Sequence, residues 1–321
     1  MVGVSTSTVS KYVNGTKRFS PDVELRLKHA IETLGYRSNP HARSMITGQT
    51  RALGVSVLDI RNPHFANLVK GANRIAQERG YTLLLLDTEE RQEHERALLE
   101  SLALRVDGMV VSSRMPDESL GWLRNLGKPV VLVSRSQGAS MPAVGADGYL
   151  AAYLLTKHVL SIGHRRIAYL GYSKSRWNSE RIRGIEEGLV EFELPLGIHD
   201  TFAPSSAAGE RACPTIMLGP NRPDVVICYN DLVALGFIKE ARRLGFQLPR
   251  DVAVAGFDNI PYGEYTVPAL TTIDFQSEKM GELAMERLIG IISGDEADSS
   301  EFIKLEPHLI VRESTGSRSL T

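Results

Sequence analysis

The sequence predicts an α/β protein built as two Rossmann-like lobes behind a small all-α head. Three observations predict it. From Leu53 onward, short β-branched apolar runs alternate with helix-length segments. The residues that close those runs are polar. Residues 4–48 hold no such run, only two short helices, a turn and a small basic segment. Alternation of apolar strands with helices means parallel sheets covered on both faces. A chain of 321 residues carries too many such units for one core, so they are split into lobes joined near Gly148 and again near Phe275.

In the head, Ser5 is placed to cap a helix whose inward residues are Val9, Tyr12 and Val13, spaced three and four apart. Its outward residues Thr6, Ser7, Ser10 and Lys11 are hydroxyls and a cation, groups that bond base edges and phosphates. Asn14-Gly15 stops this helix. The next helix has Ser20 as cap, Pro21 at its first position and Gly35 at its end. Its expected buried stripe is Val23, Leu27, Ala30, Ile31 and Leu34. The pair reads as a DNA-recognising helix-turn-helix or as two ordinary surface helices.

In the body, the expected strands are Leu53–Leu58, Thr82–Leu86, Gly108–Val111, Val130–Val133, Ile167–Gly171, Val225–Cys228 and Val252–Gly256. The expected helices are Phe65–Arg79, His94–Leu104, Tyr149–Ile162, Ile182–Phe192, Asp231–Leu244 and Ser277–Ser293. The strands run into Asp59, Ser112-Ser113-Arg114, Ser134-Arg135, Tyr172-Ser173, Asn230-Asp231 and Asp258-Asn259. Ligands of open parallel sheets bind beyond the carboxyl ends of the strands, so two facing lobes gather these groups around one cleft. Carboxylates, amides and guanidinium groups beside a flat apolar face suit a sugar-like polyol, with Phe65, Tyr172 and Trp177 as candidate faces. Each residue alone has a plainer role: an acidic residue after a strand commonly caps the next helix, and Trp177 fits a core as well.

Composition excludes several classes. Hydrophobic content of 42% and charged content of 23% are those of a water-soluble globular chain, with no run of membrane-spanning length. The net charge of −1 is unevenly spread: residues 1–50 carry seven Lys/Arg against three Asp/Glu, the remainder 30 against 35. A basic head on an acidic body suits a head that touches nucleic acid. Cys213 and Cys228 lack metal spacing and are expected to be buried free thiols of a reduced cytoplasmic protein. There is no GxGxxG, P-loop, GxSxG or HExxH motif, so an enzyme, a cofactor and a metal site are not expected. His64, His158 and His164 stand singly, where polar packing is the ordinary role.

At this point the chain resembles the LacI/GalR family of bacterial repressors over nearly its whole length. The resemblance rests on Gly3-Val4-Ser5-Thr6-Ser7-Thr8-Val9-Ser10 with Asn14-Gly15, Leu34-Gly35-Tyr36, Asn39-Pro40 and Ala42-Arg43-Ser44. It extends through Asn62-Pro63-His64-Phe65, Gly163-His164-Arg165-Arg166-Ile167-Ala168, Glu180-Arg181-Ile182-Arg183-Gly184, Asn230-Asp231 and Gly256-Phe257-Asp258-Asn259. Pro268-Ala269-Leu270-Thr271-Thr272-Ile273 and Leu309-Ile310-Val311-Arg312-Glu313-Ser314 complete it.

The resemblance implies lobes of periplasmic-binding-protein type, a homodimer (in some members a tetramer) on a pseudo-palindromic operator in double-stranded DNA, and an effector in the cleft. It implies DNA contacts from Thr6, Ser7, Ser10, Lys11, Asn14 and Tyr36, and from the hinge positions Asn39, Ala42, Arg43, Ser44 and Met45. The hinge is expected to become a short helix only on DNA. Effector contacts are implied at His64, Phe65, Arg181, Asn230 and Asp258, and further at Ser134, Arg135 and Trp177. The expected division is a partial helix-turn-helix at 1–38, a hinge at 39–51 and an effector-binding and dimerisation body at 52–321. Within the body, lobe one is about 52–147 with 275–305, and lobe two about 148–274 with 306–316.

Three departures from the family pattern stand out. The helix that normally precedes the Gly-Val-Ser turn is missing from the sequence; a start codon placed too late, with a longer reading frame upstream, is the expectation, and a real truncation the alternative. The minor-groove wedge, usually leucine, is Met45, apolar and pliable enough to serve. Ser134 stands where aspartate is common. The leading expectation is a cytoplasmic, sequence-specific repressor controlled by a small carbohydrate. The competing one is a free sugar-binding protein whose truncated head no longer binds DNA; proteins of that class are normally exported, and the polar first 15 residues are no signal peptide.

Overall fold

A computed structural model describes residues 3–13, 17–34, 48–133, 141–297 and 300–316, and only the backbone of Thr6, Ser7, Ser10, Val13 and Asp117. Of the expected site positions, Asn14, Tyr36, Asn39, Ala42, Arg43, Ser44, Met45, Ser134 and Arg135 lie outside the described residues. The chain divides into two compact units, Met1–Arg51 and Ala52–Thr321.

The first unit holds α1 (Thr6–Val13) and α2 (Pro21–Leu34). Ser5 caps α1 as expected: the Thr8 amide donates to Ser5 Oγ at 3.2 Å. At the start of α2 Ser20 holds the cap position, its carbonyl accepting the Glu24 amide at 3.0 Å, and the Glu24 carboxylate in turn accepts the Phe19 amide at 3.0 Å. Leu27 is the buried centre of this small unit at 1% exposure, and the Tyr12 and Phe19 rings lie 6.5 Å apart. Leu34 departs from the expected stripe. As the last residue of α2 it is 61% exposed, because no described residue packs over that helix end.

The second unit is doubly wound. Its first sheet has the order β11-β5-β4-β3-β1-β2, all parallel, from β1 (Ala52–Val57), β2 (Thr82–Asp87), β3 (Gly108–Val111), β4 (Val130–Val133), β5 (Ala143–Ala146) and β11 (Phe302–Leu305). The second sheet is parallel in the order β7-β6-β8-β9, from β6 (Ile167–Gly171), β7 (Leu196–Asp200), β8 (Val225–Cys228) and β9 (Ala253–Ala255). An antiparallel pair, β10 (Thr272–Asp274) and β12 (His308–Ile310), lies beside it. β3, β4, β6 and β8 are buried along their whole length, which is why they appear in the sequence as runs without a charged residue.

The helices of this unit are α3 (Pro63–Glu78), α4 (Gln92–Ala103), α5 (Gly148–Ser161), α6 (Arg176–Val190), α7 (Ser206–Met217), α8 (Asp231–Arg243) and α9 (Ser277–Ser293). Three of them start at side-chain caps: Asn62 Oδ1 accepts the His64 amide, Asp147 Oδ1 the Leu150 amide, and Asn230 Oδ1 the Val233 amide. α9 follows the second sheet in sequence but packs against α3 on the first, so the chain crosses between lobes more than once. Some helix pairs meet through glycine. A Cβ at Gly236 of α8 would lie 1.8 Å from the Ser206 carbonyl oxygen of α7, so only glycine allows that approach.

Six strands and α-helices of this unit were not expected, α7, β5, β7, β10, β11 and β12, and α6 begins at Arg176 rather than at the expected Ile182. α7 carries Pro214 inside it, and an internal proline argues against a helix; here Pro214 lies near the C-terminal end. β5, Ala-Val-Gly-Ala, is too short and small to stand out from a loop. β7 is an edge strand with half-exposed residues, so it lacks the apolar run of its neighbours.

Candidate functional site

The carboxyl ends of the strands of both sheets converge on one cleft enclosing about 820 Å³, its open mouth included. From the first lobe come Asp59, Asn62, His64 and Phe65 after β1, Glu90 after β2, and Ser113 and Arg114 after β3. From the second come Arg176, Trp177 and Arg181 on α6, Tyr229 and Asn230 after β8, and Asp258 after β9.

Arg181 is the centre of the second-lobe wall. It is 4% exposed, and its guanidinium carbon lies 4.2 Å from the Phe257 ring centroid, 4.8 Å from Tyr229, 5.4 Å from Phe275 and 6.0 Å from Trp177. One guanidinium nitrogen donates to the Tyr229 carbonyl, while the buried Nε has no acceptor in hydrogen-bond geometry. A charge held by aromatic faces keeps its favourable electrostatics and still offers donors to a ligand. Phe257 and Phe275 stack at 6.0 Å, and Trp177 tilts over Phe275 at 5.9 Å, so the wall around Arg181 is flat and apolar.

Asp258 faces it on a strained turn. Its φ of 110° and the φ of 50° at Asn259 lie in the left-handed region that side chains avoid. Asp231 holds this turn in place: its carboxylate accepts the Ile260 amide at 2.9 Å and the Thr272 hydroxyl at 2.6 Å. Burial pushes the Asp231 carboxyl well above the usual carboxylate range, and the nearby Asp258 pushes the same way. Burial also raises the Asp258 carboxyl, against the opposing charges of His64 and Arg181. Across the cleft, Asn62 Nδ2 donates to Asp258 at 3.4 Å, and His64 Nδ1 lies 3.8 Å from it. Burial depresses the His64 pKa, and its Nδ1 shares a hydrogen bond of 2.7 Å with Ser277.

The other side of the cleft is built on Arg114. Its guanidinium meets both oxygens of Glu90 at 2.7 and 2.6 Å, and reaches Ser175 Oγ at 3.2 Å and Tyr229 Oη at 3.4 Å. Burial works against this charge, but the neighbouring Tyr229 and Glu90 raise the Arg114 pKa above its ordinary value.

Of the effector residues expected from the sequence, His64, Phe65, Trp177, Arg181, Asn230 and Asp258 are brought together around this cleft. Asn230 is largely engaged already, capping α8 and donating to the Pro204 carbonyl at 3.2 Å. Tyr172 is a correction. At 5% exposure it offers no face to a ligand; it lies under Arg114 and edge-on to Tyr229, 5.5 Å from each. His158 and His164 both bond Thr315 away from the cleft, in the polar-packing role the sequence suggested for them. Sequence reasoning gathered Arg114 around the cleft as a strand-end group but did not name it among the effector contacts, and it missed Glu90 and Tyr229. Tyr229 directly follows β8, so the strand-end rule would have found it. In the head, Lys11 is exposed, and Thr6, Ser7 and Ser10 share α1 with it.

A helical head followed by a body whose two lobes close around a polar, aromatic-walled cleft defines a ligand-controlled regulator. Residues 1–39 match the family model "Bacterial regulatory proteins, lacI family", and residues 156–315 match "Periplasmic binding protein-like domain". The HTH-type transcriptional repressor PurR of Serratia proteamaculans is 31% identical over 322 residues, covering 97% of this chain and 94% of that protein. A LacI family transcriptional regulator from Enterococcus faecium, solved with bound ribose, is 28% identical with a TM-score of 0.74, over 84% of this chain and 100% of that one. The transcriptional regulator CelR, solved as a cellobiose complex, is 28% identical with a TM-score of 0.73, over 98% and 97%.

The chain belongs to the lacI family of bacterial regulatory proteins. The family, the fold class and a DNA-binding repressor function with a small-molecule effector therefore stand as the sequence led one to expect. The alternative of a free sugar-binding body is not favoured by these relatives. No helix among the described residues is long and apolar enough to cross a membrane.

Proposed function

We propose that this protein is a homodimeric repressor whose head reads operator DNA and whose cleft takes a small, carbohydrate-like effector. The observation that carries the effector class is Arg181 held in an aromatic wall on the same side of the cleft as the buried carboxylate of Asp258. A donor, an acceptor and a flat apolar surface within one cleft are what a polyol ring needs to be fixed in orientation. The relatives solved with ribose and cellobiose support a sugar.

On this reading Arg181 and Asp258 contact the effector, His64, Phe65 and Trp177 shape its pocket, and Asn230 acts mainly by holding α8. Ser134 and Arg135 belong to the same proposed site. Thr6, Ser7, Ser10, Lys11, Asn14 and Tyr36 contact the operator, and the hinge 39–51 brings Asn39, Ala42, Arg43, Ser44 and Met45 to the minor groove. The head is 1–38, and the body 52–321 holds lobe one at about 52–147 with 275–305 and lobe two at about 148–274 with 306–316. The protein works in the cytoplasm, and the cleft binds without catalysis.

The test is isothermal titration against a panel of pentoses, hexoses, disaccharides, nucleosides and sugar phosphates. A carbohydrate should bind at one site per chain, and Arg181→Ala and Asp258→Ala should each abolish or strongly weaken that binding. A binding sugar whose affinity survives both substitutions contradicts the site; a nucleoside as the only hit contradicts the effector class.

A further inference from the structure

Arg114 belongs to the first lobe, yet its hydrogen bonds are divided between the lobes. Glu90, also of the first lobe, takes the Arg114 Nε and one terminal nitrogen in a paired bridge, and both side chains are largely buried, at 11% and 16% exposure. This fork fixes the plane of the guanidinium and leaves the other terminal nitrogen directed at the second lobe. There it donates to Ser175 Oγ at 3.2 Å and Tyr229 Oη at 3.4 Å, and the guanidinium lies 5.5 Å over the Tyr172 ring. Tyr229 Oη in turn donates to Ser175 Oγ at 2.8 Å. The same Tyr229 supports Arg181 twice, through its backbone carbonyl and through its ring at 4.8 Å.

We propose that Arg114, aimed by Glu90, is a cross-lobe positioning residue that ties lobe closure to the seating of Arg181 through Ser175 and Tyr229. This rests on reading the cleft as the effector site. Closure then has a contact of its own in the protein without effector, and an effector adds to an arrangement already favoured. Losing the contact lowers the fraction of closed molecules, and apparent affinity falls by the same factor.

Spin labels at Arg61→Cys and Phe202→Cys report the distance across the cleft. These positions are 81% and 80% exposed and lie on different lobes, while the native Cys213 and Cys228 are buried and stay unlabelled. Without any added sugar, Arg114→Ala should give a longer and broader distance distribution than the parent. Tyr229→Phe, which removes the hydroxyl and keeps the ring and carbonyl beside Arg181, should shift it the same way, as should Glu90→Gln. A distance distribution unchanged in a cooperatively melting Arg114→Ala protein overturns the proposal. If that variant does not fold, an unchanged distribution in Tyr229→Phe overturns it instead. Because no effector is present, the outcome is separate from that of the sugar titration on Arg181→Ala and Asp258→Ala.

Discussion

Asp258 makes a prediction in which stability and function come apart. The residue sits at φ 110°, where a side chain is strained, and its carboxyl is buried at 9% exposure. A non-glycine residue in such a region costs about 1–3 kcal/mol. Asp258→Ala removes the carboxylate but keeps the strain; Asp258→Gly removes both. Glycine gives back about 0.5–1 kcal/mol through its freer unfolded chain. The glycine variant should therefore exceed the alanine variant by about 1 kcal/mol in effector-free stability, measured by denaturant unfolding.

Both variants should lose effector binding alike. A hydrogen bond to a charged group is worth about 1.5–3 kcal/mol, or about tenfold to 150-fold in affinity. A sugar present at a hundred times the parent's dissociation constant stabilises the parent by about 2.7 kcal/mol, and a tenfold weaker variant by about 1.4 kcal/mol. Glycine and alanine variants of equal stability would refute the strain argument. A sugar-induced stabilisation equal to the parent's would refute the contact.

Other predictions follow from the same structure. Gly236→Ala should destabilise the body by about 1–3 kcal/mol, because its Cβ would lie 1.8 Å from the Ser206 carbonyl oxygen; an unchanged melting temperature would show that α7 and α8 separate freely. The folded pKa of His64 is depressed by burial below its ordinary 6.5, so the unfolded chain takes up the proton first as pH falls. Its contribution to stability is full above that value and is lost as pH drops through the folded pKa. His64→Asn should flatten this acid-side loss in a pH series of thermal melts; an unaltered slope would remove His64 as its source. Burial raises the Cys213 thiol to about 12 and the Cys228 thiol well above its usual value, so neither should react with a thiol reagent at pH 8 until urea unfolds the protein. Rapid labelling of the native protein would contradict their burial.

The sequence announced some parts of this fold and concealed others for physical reasons. Val130–Val133 and Val225–Cys228 were legible because a parallel strand buried on both faces must be apolar throughout. α7 was concealed by Pro214, a residue that weakens a helix prediction wherever it stands but is tolerated near this helix's C-terminal end. In the cleft, Arg181 and Asp258 were legible through local motifs. The Glu90–Arg114 pair was not, because its partners are 24 residues apart and the bonds to Ser175 and Tyr229 exist only once the lobes face each other. Tyr172 was misjudged for a related reason: its aromatic ring is real, but Arg114 and Tyr229 already cover it.

On the proposed reading, DNA binding by this chain is specific and coupled to the cleft. The direct measurement is selection of bound duplexes from a random library, followed by titration of the selected duplex complex with the cleft-binding sugar, in the parent and in Asp258→Ala. The expected result is a pseudo-palindromic sequence, an affinity for it that the sugar changes in the parent, and no such change in Asp258→Ala at the same sugar concentration. Selection of no sequence beyond what charge attracts, or a sugar that fills the cleft and leaves operator affinity unchanged, would contradict it.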